Sequence, residues 1–305
     1  MKNKILVTGG SGFIGLHLSN KLLKYGYKVN CLDLIKKNNF PKKNFKFFKG
    51  NINNTSIIKK SIKDCNIVIH LAASLGVENT DKNYLNCLDL NIYGTRKVLD
   101  IANNSGVKKF IFVSSSEVYG EQNKFPINEN AELKNKSIYA ISKIVGEKYL
   151  EGFNQKYGLS YNIIRFFNVY GLKQKPNFVM SKFADQIINN KNLTVYGSGK
   201  QIRSFCNIDD AVEGLIQVIK FGRNNKVYNI GNNKEPITIL NLAKKFIKIS
   251  GKNLKVKKIP YEKSDREKNR EILKRLPGLK NISSDTQYQP KKSLTEGIKE
   301  LINLN

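Results

Sequence analysis

The sequence predicts an α/β fold in which a Rossmann-type doubly wound parallel sheet is joined to a smaller C-terminal α/β lobe. Three observations support this prediction. Short apolar runs alternate with helical patterns up to about residue 170, and this alternation implies parallel crossover connections. A glycine cluster separates the first strand from the first helix. With 305 residues, the chain has room for such a sheet and one further lobe.

The first 170 residues supply the strands and helices of the doubly wound sheet. Apolar runs predict buried strands, whereas apolar residues three or four positions apart predict helices. In chain order, strands are predicted at 4–8, 28–32, 45–48, 66–70, 109–113 and 161–166. Helices are predicted at 13–25, 57–62, 84–103 and 137–156. We therefore assign residues 1–170 to the first domain.

Beyond residue 171 the alternation becomes less regular. Strands are predicted at 193–196, 226–230 and 254–259. Helices are predicted at 178–190, 209–221, 238–249 and 293–302. This pattern predicts a smaller, substrate-binding lobe over residues 171–305, and we expect some elements from 205–230 to return to the first domain.

The chain is strongly basic, with 53 Lys and Arg against 24 Asp and Glu and a formal net charge of +29. Such a balance occurs in proteins that bind nucleic acid, anionic membrane surfaces or acidic ligands. Here the lysines are scattered and far outnumber the arginines, as the codon bias of an AT-rich genome would produce. We therefore expect no nucleic-acid partner, although a basic surface would still attract a diphosphate ligand.

Other classes of protein are excluded by what the chain lacks. No apolar run approaches the roughly 18 residues of a membrane span, so no membrane segment is predicted. The four cysteines are far apart and form no CxxC pair, which argues against a disulfide framework and a zinc site. The only histidines, His17 and His70, have no acid or thiol cluster beside them, so no metal site is predicted. These features are typical of a protein of the reducing cytoplasm.

The glycines that follow the first strand indicate a dinucleotide site. Their spacing allows a tight turn, close approach of a pyrophosphate and close packing of helix on strand. Asp33, at the end of the next strand, is placed to accept hydrogen bonds from the adenosine ribose and to repel a 2′-phosphate. Because no arginine stands beside Asp33, the sequence favours NAD over NADP. The cofactor-binding residues predicted in this segment are Gly9, Gly12, Phe13, Ile14, Gly15 and Asp33.

Tyr139 and Lys143 lie one helical turn apart and form a candidate acid–base pair. A free tyrosine has a pKa of about 10 and is a poor base at neutral pH. An adjacent ammonium group and a positive nicotinamide ring both favour the phenolate and bring its pKa towards neutrality. The helix of this pair follows the fifth strand, which ends near Ser115. Ligands of open α/β sheets bind at that edge.

Seven motifs occur in an order that resembles one known family. They are TGGSGFIG (8–15), HLAA (70–73), NIYGT (91–95), SSSEVYG (114–120), YAISK (139–143), RFFNVYG (165–171) and GSGKQIRSFCNIDDAVEGL (197–215). On these motifs the chain resembles the extended short-chain dehydrogenase/reductases, specifically the NAD-dependent nucleotide-sugar epimerase/dehydratase family. The resemblance covers nearly the whole chain and implies NAD as cofactor and a nucleotide-diphosphate sugar as substrate.

The resemblance also implies roles for individual residues. It makes Tyr139 the base that takes the proton of the sugar 4-hydroxyl, with Ser115 as its hydrogen-bonding support and Lys143 as the group that tunes it. Further cofactor contacts are implied for Asn51 and Ile52 at the adenine, Leu71, Ala72 and Ala73 beneath the pyrophosphate and ribose, and Phe166 near the nicotinamide. Substrate contacts are implied for Ser115, Glu117, Asn168, Arg203 on the diphosphate, and either Arg266 or Arg270 as a second arginine.

Glu117 distinguishes the reactions that the resembled family performs. Its 4,6-dehydratases and UDP-glucuronate decarboxylase-like members carry Glu before VYG, whereas its 4-epimerases tend to have a small residue there. Once C4 is a ketone, a carboxylate near C5 can remove the C5 proton and drive loss of the 6-hydroxyl. The sequence therefore favours 4,6-dehydration with Glu117 as the C5 base. Ser116 stands where thymidine-nucleotide dehydratases have the acid, so the proton donor to the leaving hydroxyl is left open.

Four alternatives stay open at this point. The chain length and the SSS motif also suit a nucleotide-sugar 4-epimerase. The RSFCNIDD and NIGN segments resemble the decarboxylase branch. A 4-keto-sugar reductase and a non-enzymatic binding protein are the remaining candidates. In any of these cases, the amphipathic helices predicted at 84–103 and 137–156 suggest, by the same resemblance, a homodimer.

Overall fold

Strands and helices alternate through most of the chain. The computed structural model describes residues 3–37, 40–41, 43–75, 83–261 and 272–303. In chain order its strands are β1 (Lys4–Thr8), β2 (Lys28–Asp33), β3 (Phe45–Lys49), β4 (Ile67–His70), β5 (Lys109–Ser115), β6 (Ser160–Phe166), β7 (Val169–Tyr170), β8 (Leu193–Tyr196), β9 (Ile202–Arg203), β10 (Cys206–Asn207), β11 (Lys226–Ile230), β12 (Ile237–Thr238), β13 (Val256–Ile259) and β14 (Lys274–Arg275). Its α-helices are α1 (Phe13–Lys24), α2 (Thr55–Ile62), α3 (Tyr84–Leu88), α4 (Thr95–Asn104), α5 (Ile138–Tyr157), α6 (Val179–Ile188), α7 (Ile208–Phe221), α8 (Ile239–Ser250), α9 (Lys280–Asp285) and α10 (Leu294–Leu301).

Seven strands form one parallel sheet in the order β11-β6-β5-β4-β1-β2-β3. The chain moves outward from β1 to β3 on one side and from β4 to β11 on the other, so the strand order reverses between β1 and β4. This arrangement confirms the predicted doubly wound fold. Open α/β sheets bind ligands in the crevice at such a reversal, beyond the carboxyl ends of the strands.

Helices cover both faces of the sheet. One face packs against α1 and α7, where Leu18 and Val212 belong to one apolar cluster. The other face packs against α2, α4 and α5, where Ile58, Val98 and Phe153 belong to a second cluster. Because both faces are buried, the inner strands are apolar along their length and do not alternate. Within the described ranges, no helix is both long and apolar enough to cross a membrane.

A π-helical turn at Asp89–Gly94 interrupts the helix predicted over 84–103. The buried Asn91 lies in this turn, and its Oδ1 accepts a hydrogen bond from the backbone N of Ser74 at 2.7 Å. Its Nδ2 donates to the Oγ of Ser142 in α5 at 3.0 Å. The helical segment predicted over 84–103 is therefore confirmed, with a π-helical turn that the sequence pattern did not predict. The widened turn accommodates an amide that joins the segment after β4 to α5.

The described part of the C-terminal lobe contains three small sheets: β7 with β10, β8 with β13, and β12-β9-β14. Its apolar cluster includes Phe183, Phe246 and Ile298 from α6, α8 and α10. Strands of two residues are too short to show a periodicity, so β9, β12 and β14 were not predicted from the sequence. Their pairing places Arg203 in β9 beside Arg275 in β14.

The four cysteines are buried free thiols. Burial raises the pKa of both Cys31 and Cys206 to about 12. At neutral pH these two groups are therefore protonated and poorly nucleophilic.

Candidate functional site

The turn between β1 and α1 is shaped by its glycines. Gly9 has a φ of +69°, and a Cβ atom on it would lie 2.7 Å from the backbone N of Ala72. A Cβ on Gly15 would clash with the carbonyl oxygen of Gly9, against which α1 packs. Gly12, at the helix N-cap, supplies no side-chain cap. The N–H groups of the first turn of α1 therefore lack intrahelical acceptors and are available to bind an anion.

Asp33 lies at the carboxyl end of β2, next to the glycine turn. Its Oδ2 accepts a hydrogen bond from the backbone N of Ser11 at 2.9 Å, and its Oδ1 accepts one from the backbone N of Leu34 at 2.7 Å. These bonds hold the carboxylate at the edge of the turn. A carboxylate in this place has remaining lone pairs with which to accept hydrogen bonds from a ribose.

The HLAA segment is held under the glycine turn by a buried histidine. His70 is hydrogen-bonded through Nδ1 to the Oγ1 of Thr8 at 2.7 Å and through Nε2 to the Oγ1 of Thr95 at 2.9 Å. Thr8 Oγ1 also accepts a hydrogen bond from the backbone N of Ala72. Burial, together with the charge of Lys143, lowers the pKa of His70 to about 3. The ring is therefore neutral and joins β1, β4 and α4 as a structural group.

Tyr139 and Lys143 lie in α5, beside the carboxyl end of β5. Lys143 is 3% exposed, and its Nζ donates a hydrogen bond to the carbonyl oxygen of Val113 at 2.8 Å. The same Nζ lies 5.7 Å from the centre of the Tyr139 ring and 4.8 Å from that of Phe112. A Cβ on Gly146 would overlap the Phe112 ring, so this glycine allows α5 to approach β5. The predicted pair therefore packs directly against β5 of the sheet.

The surroundings of this pair shift both of its pKa values. Burial raises the pKa of Tyr139, and the charges of Glu117 and Cys87 raise it further. Burial lowers the pKa of Lys143 to about 8, although the charges of Glu147 and Cys87 oppose this effect. In the protein alone Tyr139 is therefore a neutral phenol. It needs additional positive charge before it can act as a base.

The SSSEV segment turns sharply after β5 and brings a carboxylate close to Tyr139. Ser115 Oγ accepts a hydrogen bond from the backbone N of Glu117 at 3.2 Å. Glu117 Oε2 accepts one from the Oγ of Ser137, the N-cap residue of α5, at 3.3 Å. Among the described residues, Ser115 makes no direct hydrogen bond with Tyr139. Ser116 is 1% exposed and lies 3.5 Å from Nη1 of Arg275.

The predicted substrate residues after β6 meet the C-terminal lobe. Phe166 ends β6 and is buried. Asn168 has a φ of +41°, and its Nδ2 donates to the carbonyl oxygen of Ser204 at 3.0 Å. Arg203 donates through Nη2 to the carbonyl oxygen of Ile272 at 2.6 Å. The structure thus brings Asn168 close to the segment that carries Arg203. The two candidates for a second arginine, Arg266 and Arg270, lie outside the described residues.

A buried ion pair joins the end of β6 to α5. Arg165 donates through Nε to Oε1 of Glu147 at 3.0 Å and through Nη2 to Oε2, while their side chains are 5% and 2% exposed. Ser114 Oγ also donates to Glu147. Arg165 Nη1 donates to the Oη of Tyr119 at 2.9 Å. Glu147 therefore connects the segment of Ser115 to the helix of Tyr139.

We expect the substitution Glu147→Gln to lower the free energy of unfolding by about 3–5 kcal/mol, because it leaves the Arg165 guanidinium buried without a counter-charge. Urea denaturation measures this change. The matched control is Glu151→Gln in the same helix, whose carboxylate pairs with Lys148 at the surface and should contribute less than about 1 kcal/mol. Equal effects of the two substitutions would contradict the assignment.

The order of these sites along the chain matches a known family. The model of the NAD dependent epimerase/dehydratase family matches residues 5–231, which include the glycine turn, Asp33, Tyr139 and Lys143. This chain belongs to that family. The NAD-dependent epimerases and dehydratases are enzymes, but the family does not define one reaction.

Three relatives illustrate the range of reactions. The UDP-N-acetyl-alpha-D-glucosaminuronate decarboxylase of Bacillus cytotoxicus is 35% identical over 99% of this chain and 97% of its own. The solved UDP-glucose 4-epimerase of Thermotoga maritima, with UDP-glucose, is 31% identical and has a TM-score of 0.90 over 99% of this chain and 98% of its own. The dTDP-glucose 4,6-dehydratase DesIV of Streptomyces venezuelae, solved with NAD, is 25% identical and has a TM-score of 0.90 over 99% and 96%.

NAD is the cofactor of this family, and the glycine turn has the shape to hold it. The turn carries no side chain at Gly9 or Gly15, and the uncapped first turn of α1 suits a pyrophosphate. Of the implied adenine contacts, Asn51 accepts a hydrogen bond from the backbone N of Asn53 at 2.9 Å, and Ile52 is buried. The contacts of individual residues with NAD stay predictions.

We expect Gly15→Ala to weaken NAD binding by at least about tenfold, equivalent to about 1.4 kcal/mol, because its Cβ pushes α1 away from the carbonyl of Gly9. Isothermal titration with NAD measures the change. Gly152→Ala is the control, because a Cβ there meets no atom within 4 Å on α5. An unchanged NAD affinity in Gly15→Ala would refute the close-packing role of this glycine.

Two residues near the site were missed by the sequence analysis. Asn91 lies in the quoted NIYGT motif, but the motif alone does not reveal that its amide bonds Ser74 and Ser142. Arg275 lies in a two-residue strand whose position depends on distant pairing with β9. The one available signal was that Arg275 is an arginine in a chain whose cations are mostly lysines.

Proposed function

We propose that this protein oxidises C4 of a sugar attached to a nucleoside diphosphate and then transfers a proton at C5. The observation that carries this proposal is the convergence of Tyr139, Lys143, Ser115 and Glu117 at the carboxyl end of β5. Asn91 supports it by hydrogen-bonding both the segment after β4 and α5. Asn91 therefore holds the segment after β4, which passes under the glycine turn, at a fixed position relative to α5, the helix that carries Tyr139.

In the proposed mechanism, Tyr139 takes the proton of the sugar 4-hydroxyl while NAD, when bound, supplies the oxidising power. Lys143 lies beside the Tyr139 ring, and the positive nicotinamide ring of NAD, when bound, would add the further charge that the Tyr139 hydroxyl needs in order to ionise. Ser115 lies on the same edge and holds the turn that carries Glu117. Arg203, in the C-terminal lobe, binds the diphosphate of the substrate, because a guanidinium suits bidentate phosphate contacts.

Glu117 is assigned to the proton at C5. A ketone at C4 acidifies the C5–H bond, and Glu117 is close enough to Tyr139 for its charge to raise the pKa of that hydroxyl. On a sugar with a hydroxyl at C6, removal of the C5 proton and departure of the 6-hydroxyl as water give an unsaturated 4-ketone. Return of the hydride taken from C4 to C6, and of a proton to C5, completes 4,6-dehydration with a net loss of one water. This is the outcome that the sequence favours.

The products of a panel of sugar nucleotides test the function. The NAD-loaded protein is incubated with UDP-, GDP- and dTDP-linked hexoses, and the products are weighed by mass spectrometry. A loss of one water supports 4,6-dehydration. An absence of reaction and of binding with every sugar nucleotide would overturn the proposed function.

A 4-epimerase is the second candidate, and the surroundings of Ser116 favour it. Residue 116 is a serine, so this position offers no carboxylic acid to protonate a leaving 6-hydroxyl. The serine is almost fully buried against Arg275. An epimerase needs no such acid, because it only returns hydrogen to the other face of C4. Similarity to the Thermotoga maritima UDP-glucose 4-epimerase supports the same reaction. A product of unchanged mass with inverted C4 would select this candidate.

We also propose that the protein acts as a homodimer, with residues 1–170 binding NAD and residues 171–305 contributing most of the substrate contacts. Leu85, Tyr93 and Tyr157 are 75%, 61% and 48% exposed on α3, the π-helical turn and α5. Large exposed apolar side chains on neighbouring helices are typical of a protein interface. Sedimentation velocity at micromolar concentration distinguishes the dimer from a monomer.

A further inference from the structure

His17 connects the first helix to the segment that enters the C-terminal lobe. It lies in α1, one helical turn after Phe13, a predicted cofactor residue, and the two rings pack edge to face with their centres 5.7 Å apart. On its other side, His17 Nε2 is hydrogen-bonded to the carbonyl oxygen of Leu172 at 3.1 Å. Because a carbonyl oxygen only accepts, Nε2 is the nitrogen that carries the proton. His17 therefore joins two segments that are 155 residues apart in the chain.

The carbonyl of Leu172 belongs to a strained β-turn over residues 171–174. The backbone N of Gln174 donates to the carbonyl oxygen of Gly171 at 3.3 Å, which closes the turn. Lys173, the third residue of the turn, has a φ of +71°, whereas Leu172 does not have a positive φ. This combination defines a type II turn, whose third residue is normally glycine or asparagine. A lysine in this left-handed conformation is unfavourable because of its Cβ atom.

The strain at Lys173 depends on the orientation of one peptide group. Type I and type II turns differ by a rotation of roughly 180° of their central peptide, which here joins Leu172 to Lys173. A type I turn would return Lys173 to negative φ, but it would also turn the Leu172 carbonyl away from His17. The hydrogen bond to His17 therefore opposes the strain, and the two orientations are close in free energy. A cavity of about 300 Å³ beside His17 and Leu172 leaves room for the rotation.

The same turn is attached to the C-terminal lobe. Gln174 Nε2 donates to the carbonyl oxygen of Val169 at 2.8 Å, and Gln174 Oε1 accepts a hydrogen bond from the Oγ of Ser181 in α6 at 2.9 Å. The helix α6 in turn supplies Phe183 to the apolar cluster of that lobe. A continuous series of contacts therefore runs from the first turn of α1, through His17 and the turn over 171–174, to α6.

We propose that His17 is a positioning residue that couples NAD binding to the C-terminal lobe by holding the Leu172–Lys173 peptide in its type II orientation. With NAD in the glycine turn, Phe13 has less freedom, and so has the His17 ring that packs against it. The hydrogen bond to Leu172 is then kept, and the type II orientation is the one populated. Without NAD, both orientations are populated. The inference rests on the proposed function only in that the lobe is taken to bind the substrate.

Amide hydrogen exchange tests this coupling without any substrate. Exchange of residues 171–181 is measured by mass spectrometry in the NAD-free and the NAD-loaded protein, and we expect NAD to slow it by about fivefold or more in the wild type. His17→Phe keeps an aromatic ring against Phe13 but removes the donor, so the effect of NAD on this segment should be lost. His17→Gln retains an N–H donor and should keep part of the effect.

Residues 9–16 provide the internal control for these variants. NAD should slow their exchange in the wild type and in both variants, which shows that each protein is folded and binds the cofactor. An effect of NAD on residues 171–181 that is equal in the wild type and in His17→Phe would overturn the proposal. The absence of any such effect in the wild type would overturn it as well.

A second substitution tests the orientation of the peptide itself. Glycine adopts positive φ without a steric penalty, so Lys173→Gly makes the type II turn independent of the bond to His17. Adding Lys173→Gly to His17→Phe should therefore restore slow exchange of residues 171–181, with or without NAD. Lys175→Gly is the matched control, because this exposed lysine does not have a positive φ and should restore nothing. If the double variant exchanges as fast as His17→Phe alone, the proposal is wrong.

The outcomes separate this inference from the proposed function. If the exchange results hold but no sugar nucleotide binds, the proposed function fails and the coupling to NAD stands. If they do not hold although a sugar is oxidised at C4, the inference is wrong and the proposed function stands. Where both hold, His17→Phe should raise KM for the sugar nucleotide about fivefold and leave kcat within about twofold, because Tyr139 and Lys143 are untouched. A fall in kcat alone would contradict the positioning role.

Discussion

Replacing Tyr139 by Phe should reduce turnover by about 10³-fold or more while NAD stays bound. The substitution removes one oxygen and keeps the ring that packs beside Lys143, so the fold and the cofactor turn are unaffected. Without the phenolic oxygen, no described side chain in this position can take the proton of the 4-hydroxyl. The expected result is a protein with a normal melting temperature and NAD affinity but no detectable 4-keto sugar.

The matched control for this prediction is Tyr149→Phe. Tyr149 lies in the same helix, where its ring packs against the second apolar cluster and lies 5.5 Å from the Arg96 guanidinium. Its hydroxyl has no proposed role, so turnover should stay within about twofold of the wild type. Turnover retained in Tyr139→Phe would show that another group is the base and would remove the central residue of the mechanism.

Replacing Glu117 by Gln should separate C4 oxidation from proton transfer at C5. We expect the 4-keto sugar still to form, since Tyr139 and Lys143 are untouched, whereas incorporation of solvent deuterium at C5 should fall by about 10²-fold or more. The amide can still accept the hydrogen bond from Ser137, so the turn keeps its shape. Mass spectrometry of borohydride-trapped products in heavy water measures both steps.

The same variant makes a prediction about pH. The charge of Glu117 is one of the causes that raise the pKa of Tyr139, so its removal lowers that pKa and makes the phenolate available at lower pH. In the pH–rate profile of C4 oxidation, the rising limb should therefore move to lower pH in Glu117→Gln. Glu132→Gln, at an exposed carboxylate 74% accessible, is the control and should leave the limb unchanged. A shift to higher pH would contradict the placement of Glu117 beside Tyr139.

Much of the fold was predictable because its signals are local. The strands predicted at residues 4–8 and 109–113 match β1 and the apolar part of β5, since buried parallel strands are short apolar runs. The glycine turn was equally predictable, because three glycines must lie close in sequence to form one tight turn. The helical pattern over 84–103 was local too, but it did not reveal the π-helical turn at Asp89–Gly94, where Asn91 makes a long-range hydrogen bond to Ser142.

The candidate site was predictable only where its residues are close in sequence. Tyr139 and Lys143 are four residues apart on one helix, so helical geometry alone brings them together. Arg275 is separated from Ser116 by most of the chain, and no spacing rule connects them. Its strand has two residues, and only pairing with β9 gives it a position.

The sequence by itself determined the doubly wound architecture, the glycine turn and the placing of Tyr139 and Lys143 on one helix, because each follows from periodicity or short spacing along one element. Tertiary structure alone decided the electrostatic setting of the site. Burial and the approach of Glu117 raise the pKa of Tyr139, and distant strand pairing brings Arg275 beside Ser116. The physical reason is that a charge acts through space and through the loss of water around it, and neither quantity is contained in the order of residues.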